Sequence, residues 1–131
     1  MAIRYKPILI SQPGVKGGGI RKYFAKSIAS GVTSIEKLAT YISHASTFNF
    51  FEVICALNIL VEYICLQLIE GNIVRLYPLG SLRIEIRSEG KENKEDVNAS
   101  CIKEAHIVFI PSERVRKMLK NLDYKKIQEK S

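Results

Sequence analysis

The hydrophobic pattern switches between a period of two and a period near 3.6 along the chain, and each switch marks an element. Residues 3–10 alternate in part and predict a strand. After Gln12-Pro13-Gly14 and the triplet Gly17-Gly18-Gly19, residues 23–29 predict a second short strand or a helical turn. Ile35, Leu38, Ala39 and Ile42 then recur at helical spacing and predict a helix to about Ala45. A second, longer helix follows over the almost wholly apolar stretch to about Ile69. Beyond Gly71 the period returns to two, with strands at 73–76 and 82–87 joined through Pro78-Leu79-Gly80. In the second of these, Leu82, Ile84 and Ile86 fall on one face and Arg83, Glu85 and Arg87 on the other. Residues 105–110 predict a third strand, Pro111-Ser112 opens a basic helix to about Asn121, and 122–127 suit a short edge strand.

Helix punctuation supports this division. Thr33-Ser34-Ile35-Glu36 has the form of a capping box, with Thr33 as the cap. Asn49 is the next cap, Glu52 stands three residues on, and Phe48 is placed to staple against Val53. Gly71 supplies the left-handed stop. Two capped helices with a few residues between them form an α-hairpin. The stretch 48–69 also has the length of a membrane span, but Glu52, Asn58, Glu62 and Gln67 interrupt it. A charge near a bilayer centre costs about 2.5–3.5 kcal/mol. The simpler reading is a helix covered on several sides, as at a dimer core, with no membrane partner.

Charge changes the picture more than composition does. The 131 residues suit one domain with a small extension, divided as a basic extension at 1–31 and a main unit at 32–131. A net charge of +7 directs attention to polyanions, either nucleic acid or an anionic membrane surface. Residues 1–30 carry Arg4, Lys6, Lys16, Arg21, Lys22 and Lys26 and no acid. The three cysteines are odd in number and lack metal spacing. Cys55 and Cys65 lie inside the apolar helix and are expected to be buried thiols, which favours a cytoplasmic location. The first residues contain no apolar signal core.

No catalytic constellation is visible, and neither an enzyme nor a cofactor is expected. His44 stands near a helix end and His106 on a strand surface, and no Ser-His-Asp or paired-carboxylate pattern accompanies them. Cys101 has no evident activating partner. The Gly triplet beside Lys16 offers N–H groups that suit phosphate, but it lacks the P-loop spacing and reads as a turn.

The order helix, helix, strand, strand, arm, strand, helix over residues 33–121 resembles the HU/IHF family of bacterial DNA-bending proteins. Phe109-Ile110-Pro111-Ser112 stands where family members carry Phe, a basic residue, Pro and Gly, and Leu79-Gly80-Ser81-Leu82 where they carry Phe-Gly-Asn-Phe. Tyr5-Lys6-Pro7, the Gly-rich loop and Lys22-Tyr23-Phe24-Ala25 look like the HU-like proteins of Bacteroidetes, which precede the HU core with a β extension. The resemblance implies an α+β, HU/IHF-like dimer fold: a helical hairpin, a three-stranded antiparallel sheet with a short arm, a C-terminal helix and an N-terminal β extension. It also implies crossing second helices, hence a homodimer through residues 50–69, and a nucleoid-associated partner of double-stranded DNA.

The chain departs from the family at the arm. In the family a Pro wedge at the arm tip unstacks a base step. Here residues 88–100 contain no Pro and no Arg, and Glu89, Glu92, Glu95 and Asp96 outnumber Lys91 and Lys94. Phosphate would repel such an arm. The candidate DNA contacts are therefore Arg75, Arg83 and Arg87 on the sheet, Lys103, Arg114 and Arg116 toward the C-terminus, and Lys16, Arg21 and Lys22 in the extension. Contact through phosphates carries little sequence preference. The alternative is a structural or protein-interaction module on an HU scaffold that has lost DNA bending.

Overall fold

The structure, a computed structural model, describes residues 2–11, 17 and 19–127. It contains β1 (Ile3–Ile10), β2 (Lys22–Ile28), α1 (Ile35–Ala45), α2 (Phe50–Ile69), β3 (Val74–Leu76), β4 (Gly80–Ser88), β5 (Ile102–Pro111), α3 (Glu113–Lys120) and β6 (Tyr124–Lys126). The chain divides into two compact units, one from Ser34 to Leu119 and one formed by the residues up to Thr33 with those from Lys120 onward.

In the larger unit α1 and α2 form the hairpin, and their caps follow the chemistry of the chain with one correction. Thr33 does not cap α1. Ser34 does, its hydroxyl accepting from the Lys37 N–H at 3.2 Å, which moves Glu36 to the second helical position. Ser and Thr are comparable caps, so the two adjacent hydroxyls compete for this role, and here Ser34 takes it. At α2 the Asn49 amide oxygen accepts from the Glu52 N–H at 2.9 Å, and its nitrogen donates to the Glu52 carboxylate at 2.7 Å. Gly71, at φ +86°, closes the helix. Its N–H donates to the Leu68 carbonyl and that of Asn72 to Gln67, both at 3.0 Å, which is the Schellman pattern.

From Gly71 the chain enters a three-stranded antiparallel sheet of order β3-β4-β5. Gly80 sits at the bend into β4 at φ +156°, where an added Cβ would lie 2.3 Å from the Ile110 carbonyl and 2.7 Å from the Phe109 ring. Only glycine fits that approach. Ser112 joins the sheet end to α3. Its hydroxyl donates to the Pro78 carbonyl and accepts from the Val115 N–H at 3.2 Å. Between β4 and β5 the arm is folded onto itself: two short 3-10 turns, at 94–96 and 99–101, close over the buried Cys101.

The smaller unit is a separate three-stranded sheet of order β2-β1-β6, with β1 antiparallel to β2 and parallel to β6. The C-terminal strand, expected inside 32–131, thus lies on β1, with the Ile127 N–H donating to the Tyr5 carbonyl at 2.9 Å.

Burial within the chain is sparse. Among the described residues Ala39, Val53, Leu68 and Cys101 are the buried apolar ones. The expectation for Cys55 and Cys65 is reversed: both are exposed, while Cys101 is buried. The reason is that α1 covers one side of α2 only. Ile59, Leu60 and Val61, successive residues pointing about 100° apart, are 47%, 48% and 49% exposed. By length and composition α2, with mean hydropathy 1.8, would suffice to cross a membrane.

Candidate nucleic-acid interface

Strand register sorts the β3–β4–β5 sheet into two faces. One carries the cross-strand pairs Leu82–Phe109, Ile84–Ile107 and Ile86–Ala105. The other carries Arg83, Glu85 and Arg87 opposite Val108, His106 and Glu104. Arg75 lies opposite Ser81 and so joins this polar face. Three of the predicted cations, Arg75, Arg83 and Arg87, are therefore brought to one surface.

Carboxylates claim two of the three. The Arg83 guanidinium donates to Glu85 at 2.8 Å, and Arg87 donates to Glu104 at 3.1 Å. Glu85 also lies 3.7 Å from the His106 imidazole. These pairs are exposed and worth about 0–1 kcal/mol each, so phosphate could displace them, but their net field is weak.

The remaining predicted residues scatter. Lys103 is exposed at the β-bulge, unpaired in register between the Arg87–Glu104 and Ser88–Ile102 partners. Arg114 and Arg116 are exposed on α3. Arg114 lines a groove of about 360 Å³ with Tyr77, Ser112, Glu113 and Lys117. Arg21 and Lys22 belong to the smaller unit, Arg21 just before β2 and Lys22 at its first position opposite Ile10. Lys16 and Gly18 of the suggested phosphate-cradling loop fall outside the described residues.

The smaller unit brings together cations that the sequence did not single out as a site. On β1, Arg4 and Lys6 share a face. Lys6 lies opposite Lys26 on β2, and Arg4 opposite Lys125 on β6. All four are exposed, and among the described residues none is in an ion pair. Arg4, Lys125 and Lys126 also line a groove of about 490 Å³ at the β6 edge. The alternation of Arg4 and Lys6 was visible in the sequence. The arrival of Lys125 required the long-range parallel pairing of β6.

Charge divides unevenly between the units. Residues 1–33 and 120–131 hold ten Lys and Arg against two acids, whereas residues 34–119 hold ten against eleven. The whole surplus of +7 therefore resides outside the larger unit.

A helical hairpin feeding a three-stranded sheet, with a basic β extension, defines an HU-type architecture. The family model described as an HU domain fused to a winged helix-turn-helix, Ig or glycine-rich motif matches residues 1–126, and the chain belongs to this family, HU-HIG. No curated protein sequence matches it. Among solved structures, it is similar to the crystal structure of a Bacteroides vulgatus protein described as a candidate bacterial DNA-binding protein, at 12% identity and a TM-score of 0.63. The match covers 98% of this chain and 50% of that one, so this chain spans half the length of the solved structure.

Proposed function

We propose that the protein is a dimeric, nucleoid-associated DNA-binding protein of the bacterial cytoplasm that grips the phosphate backbone with little sequence preference. The observation that carries this is the pairing of HU-HIG membership with a surplus of positive charge free of carboxylate partners among the described residues. The solved neighbour described as a DNA-binding protein supports the same reading. Phosphate contacts position a protein without reading bases, hence the low specificity.

Dimerisation is the natural cover for the exposed apolar surface. The exposed Ile59, Leu60 and Val61 on α2, and Ile84 and Ile107 on the sheet, are apolar side chains of the kind that obligate homodimers bury. Ile42, Phe48, Val53, Ala56 and Leu57 line an apolar groove of about 320 Å³ between the two helices, suited to side chains of a second copy. The arm contributes no wedge: it has no Pro, and four acids stand against two lysines. DNA is therefore bent weakly or not at all. Arg75, Arg83, Arg87, Lys103, Arg114 and Arg116 supply secondary contacts, with Arg21, Lys22 and Lys16 in the extension.

A second reading, a protein-interaction module on an HU scaffold, is favoured by one observation: Arg83 and Arg87 are already paired with Glu85 and Glu104. Fluorescence anisotropy with linear and pre-kinked duplexes separates the two. The DNA reading expects equal, salt-sensitive binding to random sequences and little gain from a kink. Absence of binding at low salt would favour the protein partner.

A further inference from the structure

We propose that the Arg4–Lys6–Lys26–Lys125 face of the N-terminal sheet is the principal contact for the phosphate backbone of double-stranded DNA, an inference that rests on the DNA-binding reading above. Three observations converge on it. First, these side chains come from three strands, yet register places them side by side: Lys6 with Lys26, Arg4 with Lys125. Second, no carboxylate of the described residues pairs with any of them, whereas on the β4–β5 face Arg83 and Arg87 are paired. Third, the larger unit is close to neutral in formal charge, so long-range attraction of DNA must come from the smaller one.

The geometry suits a backbone. Neighbouring strands lie about 4.8 Å apart, and same-face residues on a strand repeat at about 6.7 Å. Four cations in that lattice, on flexible stems, cover a patch of roughly 7 by 10 Å. Duplex DNA presents one phosphate per ~3.4 Å of axis along each strand, so the patch can engage several phosphates without reading bases. Lys22 extends the cationic face beside the exposed Phe24. The groove lined by Arg4, Lys125 and Lys126 continues it past the β6 edge.

The test uses the full chain and a short random-sequence duplex, with binding measured between about 50 and 200 mM salt. Each lost phosphate contact flattens the slope of log K against log[salt] by about 0.9. The neutralised variant R4Q/K6Q/K26Q/K125Q is expected to flatten the slope by about 3.6 and to bind at least tenfold more weakly at low salt. R75Q/R83Q/R87Q should change the slope by less than about 1. The charge-retaining R4K/K6R/K26R/K125R variant should bind like the unmodified chain, with far-UV circular dichroism establishing that each variant is folded. If the neutralised variant keeps the original slope while the unmodified chain binds DNA, the inference is overturned and the DNA reading stands. It is also overturned if the charge-retaining variant loses binding as fully as the neutralised one. If the unmodified chain ignores DNA, both fail, and binding to phosphatidylserine vesicles in that case would identify a membrane surface as the occupant.

Discussion

Lys6 and Lys26 are register partners across β1 and β2, two like charges directly opposed in a three-stranded sheet. Like charges so placed destabilise a sheet by about 0.2–1 kcal/mol. The chain carries this cost in a unit with few other means of stability, which is understandable if a polyanion offsets it. Replacing Lys6 with Thr, a good strand former, should therefore raise the melting temperature of the free protein at low salt while weakening DNA binding. Added salt should narrow the gap in melting temperature by screening the repulsion. Thermal unfolding at two ionic strengths, with and without duplex, checks both.

The apolar face of β4 and β5 makes a second prediction. Ile84 and Ile107 are cross-strand partners and are 38% and 60% exposed. If a second copy covers them, Ile84→Glu places a charge in a dry interface and should shift the protein from dimer to monomer, or unfold it. Sedimentation velocity reads the change directly. A monomeric unmodified chain would remove the dimer from the account.

Gly80 tests the local architecture. Its Cβ position is occupied by the Ile110 carbonyl, and its φ of +156° is costly for other residues. Gly80→Ala should cost at least about 2 kcal/mol, through both overpacking and backbone strain. Gly71→Ala, where nothing lies within 4 Å of the added Cβ, should cost only about 1 kcal/mol from φ alone. Urea denaturation of the two variants would separate the terms.

The helix caps offer a similar contrast. Ser34→Ala should cost about 1 kcal/mol and Asn49→Ala a similar amount, while Thr33→Ala should be nearly neutral. Denaturation midpoints for the three decide which residue caps α1.

That cap shows how far the sequence reaches. The hairpin, the Asn49–Glu52 cap, the Gly71 stop and the face alternation of β4 were legible, because each depends on residues within a few positions of one another. Ser34 was passed over for Thr33 because the two hydroxyls are chemically equivalent and local sequence does not choose between them. Cys55 and Cys65 were expected to be buried because apolar helices bury their surface, but α1 covers only one side of α2 and leaves both thiols exposed. At the site, the Arg83 and Arg87 face was legible, whereas the Arg87–Glu104 pair depends on β4–β5 register across the arm. Lys125 beside Arg4 depends on a parallel pairing that spans almost the whole sequence, and no local pattern announces it.

The arm provides a further check. Deleting most of residues 89–100 and closing the hairpin with a tight turn should leave DNA affinity unchanged or slightly higher, because the segment has a net charge of −2 and no wedge. A large loss of affinity in an anisotropy titration would mean that the arm grips DNA despite its charge.

The most direct test of the central claim is the salt dependence of binding by the unmodified chain to a random duplex. With four or more phosphate contacts the slope of log K against log[salt] should be about −4 or steeper, so that affinity falls by roughly 200-fold between about 50 and 200 mM salt. A slope near zero, or no binding at the lower salt, would contradict the claim that this protein holds DNA by its backbone charge.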